Sequence, residues 1–439
     1  MSLYIKDSIV ALATPRGVGA LSVVRVSGES LKPLFLRLTG IASPKSRYSY
    51  YSKLLSEKRS LIDRVVIVFF KSPSSYTGED VIEISCHGGE VVANKIINTL
   101  IFYGCRQAEQ GEFSKRAFLN GKIDLLEAES INSLVSSRSA FGVKNGLMGL
   151  EGKVRSSLKK IKKGLVDVLT HLEYELDFSE EEISHKKKDS IKKDLKKTSL
   201  SIRSLFNSTI IDKKLSVGFR VCLVGPSNAG KSTLFNSILG FNKSIVFHEK
   251  GTTRDSVEGF VEIGGFPVVL VDTAGFWKGK DVLDKIGVEK TIQEIHQSDL
   301  VVVVHEKDPV SFLKNLDLSP EKPVICALSK SDLLKTKPKG LSFSSLKNKN
   351  INTLLTKIST EIGRSFFKDS LFVSSERQSV LIKKALASLD FLYDNFNSLD
   401  PAQCASSVRD VLESLEEVLG RVYNEDILND IFSQFCVGK

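Results

Sequence analysis

The stretch Phe219-Arg220-Val221-Cys222-Leu223-Val224-Gly225-Pro226-Ser227-Asn228-Ala229-Gly230-Lys231-Ser232 decides how this chain is read. Residues 219–224 are an apolar run of strand length, and 225–232 fit the pattern GxxxxGK[ST]. A strand before it and a helical run after it are the context that this pattern requires. Glycines there let backbone N–H groups wrap phosphates, Lys231 reaches the β and γ oxygens, and the Ser232 hydroxyl ligates Mg²⁺.

Three further elements follow in chain order. Gly251-Thr252-Thr253-Arg254-Asp255 offers Thr253 as a second Mg²⁺ hydroxyl. Asp272-Thr273-Ala274-Gly275 closes a predicted strand, where the carboxylate can hold Mg²⁺ through water and the Gly275 N–H can sense the γ-phosphate. Ser329-Lys330-Ser331-Asp332 stands where a base-reading NKxD is usual. Asp332 can accept hydrogen bonds from guanine N1–H and N2–H, a pattern adenine cannot supply. Ser329 lacks the amide of the usual Asn, so weaker binding with guanine preference kept is expected. The residues after Gly275 are Phe276 and Trp277, which cannot orient a water. Hydrolysis must then draw on another acid, Asp281 or Asp284, and on a cation in place of an arginine finger. Asn228, inside the phosphate loop, is placed to ligate a monovalent cation.

Outward from the loop, the apolar runs of 219–224, 266–272, 300–305 and 323–328 alternate with helical stretches, the signature of βαβ units around a mainly parallel sheet. Residues 1–119 read as mixed α and β, with strands predicted at 21–26, 64–70 and 80–85. In 120–216 the period is helical: Val154, Leu158, Ile161, Leu165, Leu169, Leu172 and Leu176 recur at spacings of three and four. Helical spacing returns in 374–439. The expected fold is multidomain, α+β and α/β: an N-terminal domain at 1–119, a helical domain split between 120–216 and 374–439, and a P-loop α/β domain at 217–373 inserted between its halves.

With 439 residues the chain has room for several cores, and 41% hydrophobic with 26% charged residues is a globular balance. Its six cysteines form no CxxC pair and no zinc spacing, which fits a reducing cytosol. The N-terminus has no basic head and apolar run of a secretory signal, and no apolar stretch reaches the roughly 20 residues that span a bilayer. A cytoplasmic protein without a membrane partner is expected. The net charge of +10 favours polyanions; much of it lies in 151–216, either as a solvated helix face or as an RNA patch.

The stretches ATPRGVGALSVVRVSG, YTGEDVIEISCHGG, GEFSKRAFLNGKIDLLEAE, GPSNAGKS, GTTRD, DTAG and the terminal FCVGK together resemble the MnmE family of tRNA-modification GTPases, over essentially the whole chain. The resemblance implies an N-terminal tetrahydrofolate-binding domain that forms a homodimer, a split helical domain, and a Ras-like GTPase domain activated by K⁺-dependent dimerisation. It implies that the family acts with an FAD-dependent partner, MnmG, on tRNA. Together they install an aminomethyl or carboxymethylaminomethyl group at C5 of the wobble uridine, position 34. The one-carbon unit comes from a folate such as 5-formyl- or methylene-tetrahydrofolate. By the resemblance, Arg25, Glu83, Lys122 and Lys439 fall on folate-contacting positions, and Asn228, Phe247, Glu249 and Thr252 on the K⁺ site. The nucleotide-contacting set takes in Asn228, Ala229, Gly230, Lys231, Ser232 and Thr233, then Phe247, His248, Glu249, Lys250, Gly251, Thr252 and Thr253. It continues with Asp272, Thr273, Ala274 and Gly275, then Ser329, Lys330, Ser331 and Asp332, and closes with Ser344, Ser345 and Leu346. The family's catalytic acid is a Glu, and its slot here is Asp284, one methylene shorter.

Cys436 opens the last four residues, yet Gly438 and Lys439 do not suit a prenylation box. A small buried hydrophobe is one reading of this cysteine. The other, which the resemblance favours, is a nucleophile or proton carrier on a flexible cationic tip beside the folate. A regulatory or ribosome-assembly GTPase switch is the rival reading of the whole chain, and an RNA-binding protein using the Lys-rich helices is another. The switch has no need of the folate motifs in the first 120 residues, and K⁺-stimulated turnover would argue against the RNA-binding reading.

Overall fold

Ser22, Val24 and Val26 alternate with Leu21, Val23 and Arg25, and the first set is buried while the second is not. That period of two gives a strand with one face in a core and leaves Arg25 on the other face. The computed structural model describes residues 7–137, 139–177, 185–241, 257–273, 291–314, 322–333, 340–366, 375–420 and 425–439. They fall into two units, Met1–Asn132 with Leu419–Lys439, and Ser133–Val418. The expected segment 374–439 is therefore shared between them.

The first unit holds a six-stranded sheet of β1 (Ser8–Leu12), β2 (Leu21–Gly28), β3 (Ser49–Leu55), β4 (Leu61–Phe70), β5 (Asp80–His87) and β6 (Cys105–Gln107), in the order β3-β4-β5-β2-β1-β6. Neighbours are antiparallel except β1 and β6. Helices α1 (Lys32–Thr39) and α2 (Glu90–Phe102) cover one face, where Phe35, Ile96 and Leu100 pack on Val24, Val26, Ile67 and Ile84. A second core joins Leu125 and Ala128 of α4 (Leu125–Ser136) to Leu428, Ile431, Phe432 and Phe435. Burial of aromatics such as Phe432 and Phe435 contributes about 1.5–3 kcal/mol each. The end of the chain is thus anchored, contrary to the flexible tip expected from Gly438 and Lys439. Val437 bridges to Gln110, and Gly438 is buried at φ +95°.

In the second unit a five-stranded sheet has the order β11-β10-β7-β9-β8, from β7 (Phe219–Val224), β8 (Val257–Ile263), β9 (Phe266–Asp272), β10 (Leu300–His305) and β11 (Val324–Leu328). Only β8 runs antiparallel to its neighbour. Val221 and Leu223 face one core and Cys222 and Val224 another, so β7 is buried on both sides and reads as an apolar run interrupted only by Arg220. The same unit contains the long helices Lys153–Asp177, His185–Val217, Glu376–Asn395 and Pro401–Val418. In the first of these, Val154, Leu158, Ile161, Leu165, Val168 and Leu172 are buried, and Leu169, expected in the stripe, is only half-buried. Spacings of 4-3-4-3-4 keep the seam on one face better than two consecutive steps of four. No helix among the described residues is long and apolar enough to cross a membrane.

Candidate functional site

Strand order reverses at β7: the chain goes to β9 on one side and to β10 on the other. In open parallel sheets the crevice outside the strand carboxyl ends at such a point is where ligands sit, and residues 225–232 occupy it. The loop backbone presses on β10 so closely that a Cβ at Gly225 would lie 2.0 Å from the Val304 carbonyl oxygen. Lys231 is buried and donates to the Gly225 and Pro226 carbonyls at 3.1 and 3.0 Å. Burial lowers the pKa of its ammonium, against an opposing pull from Asp272. The Asp272 carboxyl is raised, because burial outweighs the Ser232 hydroxyl and the Lys231 charge. Its Oδ1 is buried without a hydrogen-bond partner among the described residues. A buried lysine turned onto its own loop, beside a carboxylate with an orphaned oxygen, suits an incoming phosphate with a divalent cation. Thr273 is fixed by a 2.8 Å hydrogen bond from its hydroxyl to the Leu223 carbonyl. Asn228 is exposed at φ +61°, with Ala229 buried behind it and Gly230 at φ +91°.

The residues expected to read the base converge from two stretches. Ser329 N–H donates to the His305 carbonyl at 3.0 Å and Ser331 N–H to the Phe343 carbonyl at 3.0 Å. The hydrogen bond from Ser344 is the main cause that holds the Asp332 carboxyl below its ordinary value. Lys330, at φ +54°, pairs with Glu306 at 2.9 Å. The hydroxyls of Ser329, Ser331 and Ser345 are buried and have no partner among the described residues. A cleft of about 570 Å³ lies alongside, lined in part by Ser232, Thr233, Asn236, Ser237, Ser345 and Leu346. Phe247, His248, Glu249, Lys250, Gly251, Thr252, Thr253, Ala274, Gly275, Asp281 and Asp284 lie outside the described residues.

The first unit carries a separate charged site. Arg25 and Glu83 stand directly opposite on β2 and β5, and the guanidinium holds the carboxylate at 2.8–2.9 Å through two nitrogens. Tyr76 and Phe113 lie against the guanidinium, with ring centroids 5.6 and 5.8 Å from its carbon. Arg25 also donates to the Gly438 carbonyl at 3.5 Å, which brings Lys439 into the group. Burial, with Arg25 adding to it, lowers the pKa of the Lys439 ammonium, partly offset by Cys436. Cys436 is exposed, and its carbonyl accepts from Lys439 N–H at 3.2 Å. Exposure answers the packing reading of this cysteine, since its neighbours Phe435 and Gly438 take the buried positions. Lys122 is exposed and its stem runs over Gly78, two residues from Tyr76. Sequence reasoning missed Tyr76 and Phe113, although both sit in the family-like stretches YTGED and GEFSKRAFL.

A family model described as GTP-binding protein TrmE N-terminus matches residues 8–122, and one described as MnmE helical domain matches residues 125–436. A tRNA modification GTPase MnmE of Aliarcobacter butzleri (strain RM4018) is 34% identical over 446 residues, covering 100% of both chains. One of Aquifex aeolicus (strain VF5) is 33% identical, covering 99% of this chain and 100% of its own. Among solved structures, the G domain of the T. maritima FeoB iron transporter is 25% identical, covering 33% of this chain and 98% of its own, at a TM-score of 0.27. A likeness at that score says nothing about function.

Proposed function

The chain belongs to the MnmE family of tRNA modification GTPases, and from that premise we propose that it hydrolyses GTP to drive modification of tRNA at C5 of the wobble uridine. The observation that carries this reading is full-length similarity joined to the placement of Lys231, Ser232 and Asp272 at the reversal point of the sheet. Lys231 holds the β and γ oxygens, Ser232 and Thr253 hold Mg²⁺, and Asp332, braced by Ser344, reads guanine. Asn228, Phe247, Glu249 and Thr252 hold K⁺. When bound, the two cations supply positive charge against the phosphates. Asp284 orients the attacking water.

The site around Arg25 suits a reduced folate: the guanidinium and the Lys439 and Lys122 ammoniums face an anionic tail, and Glu83 offers a carboxylate to a pterin ring. Cys436, exposed beside Lys439, serves the transfer chemistry. The functional division follows the segments 1–119, 120–216, 217–373 and 374–439, with homodimerisation through the first, MnmG as partner, and a cytoplasmic location. GTP turnover in K⁺ and Na⁺ at equal ionic strength tests the core of this reading. Faster turnover in K⁺, abolished by Lys231→Ala, is expected. Equal rates in the two salts overturn the cation site, and no turnover in either overturns the hydrolase.

A further inference from the structure

Arg116, on α3 (Glu112–Leu119), is buried at 4% exposure and is none of the residues assigned above to the nucleotide site or to the site around Arg25. Its guanidinium gathers carboxylates from three separate stretches: Asp7 at 2.6 Å, Glu112 at 2.9 Å, and both oxygens of Glu79 at 3.2 Å. Burial alone would lower its pKa, but Glu112, Glu79 and Asp7 outweigh that and the net shift is upward. A charge this deep persists only with several well-placed partners.

The arrangement of those partners says what the cluster does. Glu112 is followed at once by Phe113, and Glu79 comes three residues after Tyr76, so Arg116 grips the two segments that carry the aromatic rings around Arg25. The loop is further tied to β2. Ser27, two residues from Arg25, donates to Glu79 at 2.7 Å and shares a 2.6 Å hydrogen bond with Thr77. Tyr76 and Ser114 share a hydrogen bond at 2.8 Å, and Asn120 donates to the Thr77 carbonyl at 2.7 Å. These ties join residues 76–79 to α3, to the residue just after it and to β2, while Ser74 and Asp80 are held from elsewhere, by the Arg47 guanidinium and the Leu31 N–H.

We propose that Arg116 is a positioning residue for the Arg25 site: it fixes the loop against α3 so that Tyr76 and Phe113 hold the guanidinium in place before a ligand arrives. This rests on the reading of that site as a reduced-folate site. Preorganisation of this kind lowers the ordering cost of binding without a direct contact to the ligand. Arg106 provides the internal comparison. It holds the same Asp7 and Glu112 at 2.7 and 2.6 Å from the more exposed side and does not reach Glu79 among the described residues.

The test uses the full chain and three variants, Arg116→Lys, Glu79→Gln and Arg106→Gln, with 5-formyltetrahydrofolate as the probe. Binding is measured by calorimetry, stability by thermal melting, and the loop by hydrogen exchange over residues 72–80. Arg116→Lys and Glu79→Gln should each weaken binding about tenfold or more and speed loop exchange. Arg106→Gln should lower the melting temperature yet leave affinity within about twofold, a split that loss of stability alone does not produce. Unchanged loop exchange in both of the first two variants overturns the proposal. So does equal weakening by Arg106→Gln. If the parent chain binds no folate while loop exchange rises only in the first two variants, the ligand reading fails and the positioning role stands.

Discussion

Gly438→Ala is a small change at a position where the backbone leaves no room for it. At φ +95° an L side chain is disfavoured by about 1–2 kcal/mol. The added Cβ would also lie 2.3 Å from the Leu12 carbonyl oxygen and 3.0 Å from its carbon. Both are backbone atoms of β1 and cannot swing aside, so the tail must move. Moving it breaks the Val437 bridge to Gln110, a loss of about 0.5–1.5 kcal/mol for each hydrogen bond. The sum is about 1.5 kcal/mol at the least, a factor of about 13 in the docked fraction of the tail. Phe432 and Phe435 stay in their core, so the melting temperature should fall little. Hydrogen exchange over 436–439 should rise, and reduced-folate affinity should drop because Lys439 leaves Arg25. Parent-like exchange and parent-like affinity together would refute the claim that the tail completes the site.

Asp284→Asn should leave GTP binding intact and lower turnover at least about tenfold, or about 1.4 kcal/mol, while Asp284→Glu matches or exceeds the parent. If Asp281→Asn is the damaging change in single-turnover assays, the role belongs there. Burial raises the Asp272 pKa above its unfolded value, so its ionisation costs stability as pH rises through the folded value. Asp272→Asn should therefore raise the melting temperature of the nucleotide-free protein at neutral pH and abolish Mg²⁺-dependent nucleotide binding. A lower melting temperature would contradict that sign. Cys436→Ser should reduce tRNA modification and leave K⁺-stimulated hydrolysis in place; normal values for both would make the cysteine a bystander.

The candidate nucleotide site was legible because its signals are local. Residues 225–232, the strand before them and the continuous apolar run of β10 can all be read within a few positions of one another. What escaped reading depends on contacts between distant residues. Strands β1 and β6 are five and three residues long and pair across nearly a hundred positions. The helix Glu425–Ser433 has the same helical spacing as those of the second unit, and only packing sends Phe432 to Leu125 rather than there. Arg116 carries no local signal, because Asp7 and Glu79 reach it only through the fold. Leu169 lost its place to Val168 because a seam drifts around a long helix, which a list of leucines does not reveal.

We propose that GTP hydrolysis by this chain serves wobble-uridine modification. Mass spectrometry of nucleosides from tRNA tests it most directly, in cells lacking the protein and in the same cells given back the parent or Lys231→Ala. The C5-modified wobble uridine should disappear without the protein, return with the parent chain, and stay absent with Lys231→Ala. Full modification without the protein, or full rescue by Lys231→Ala, would contradict it.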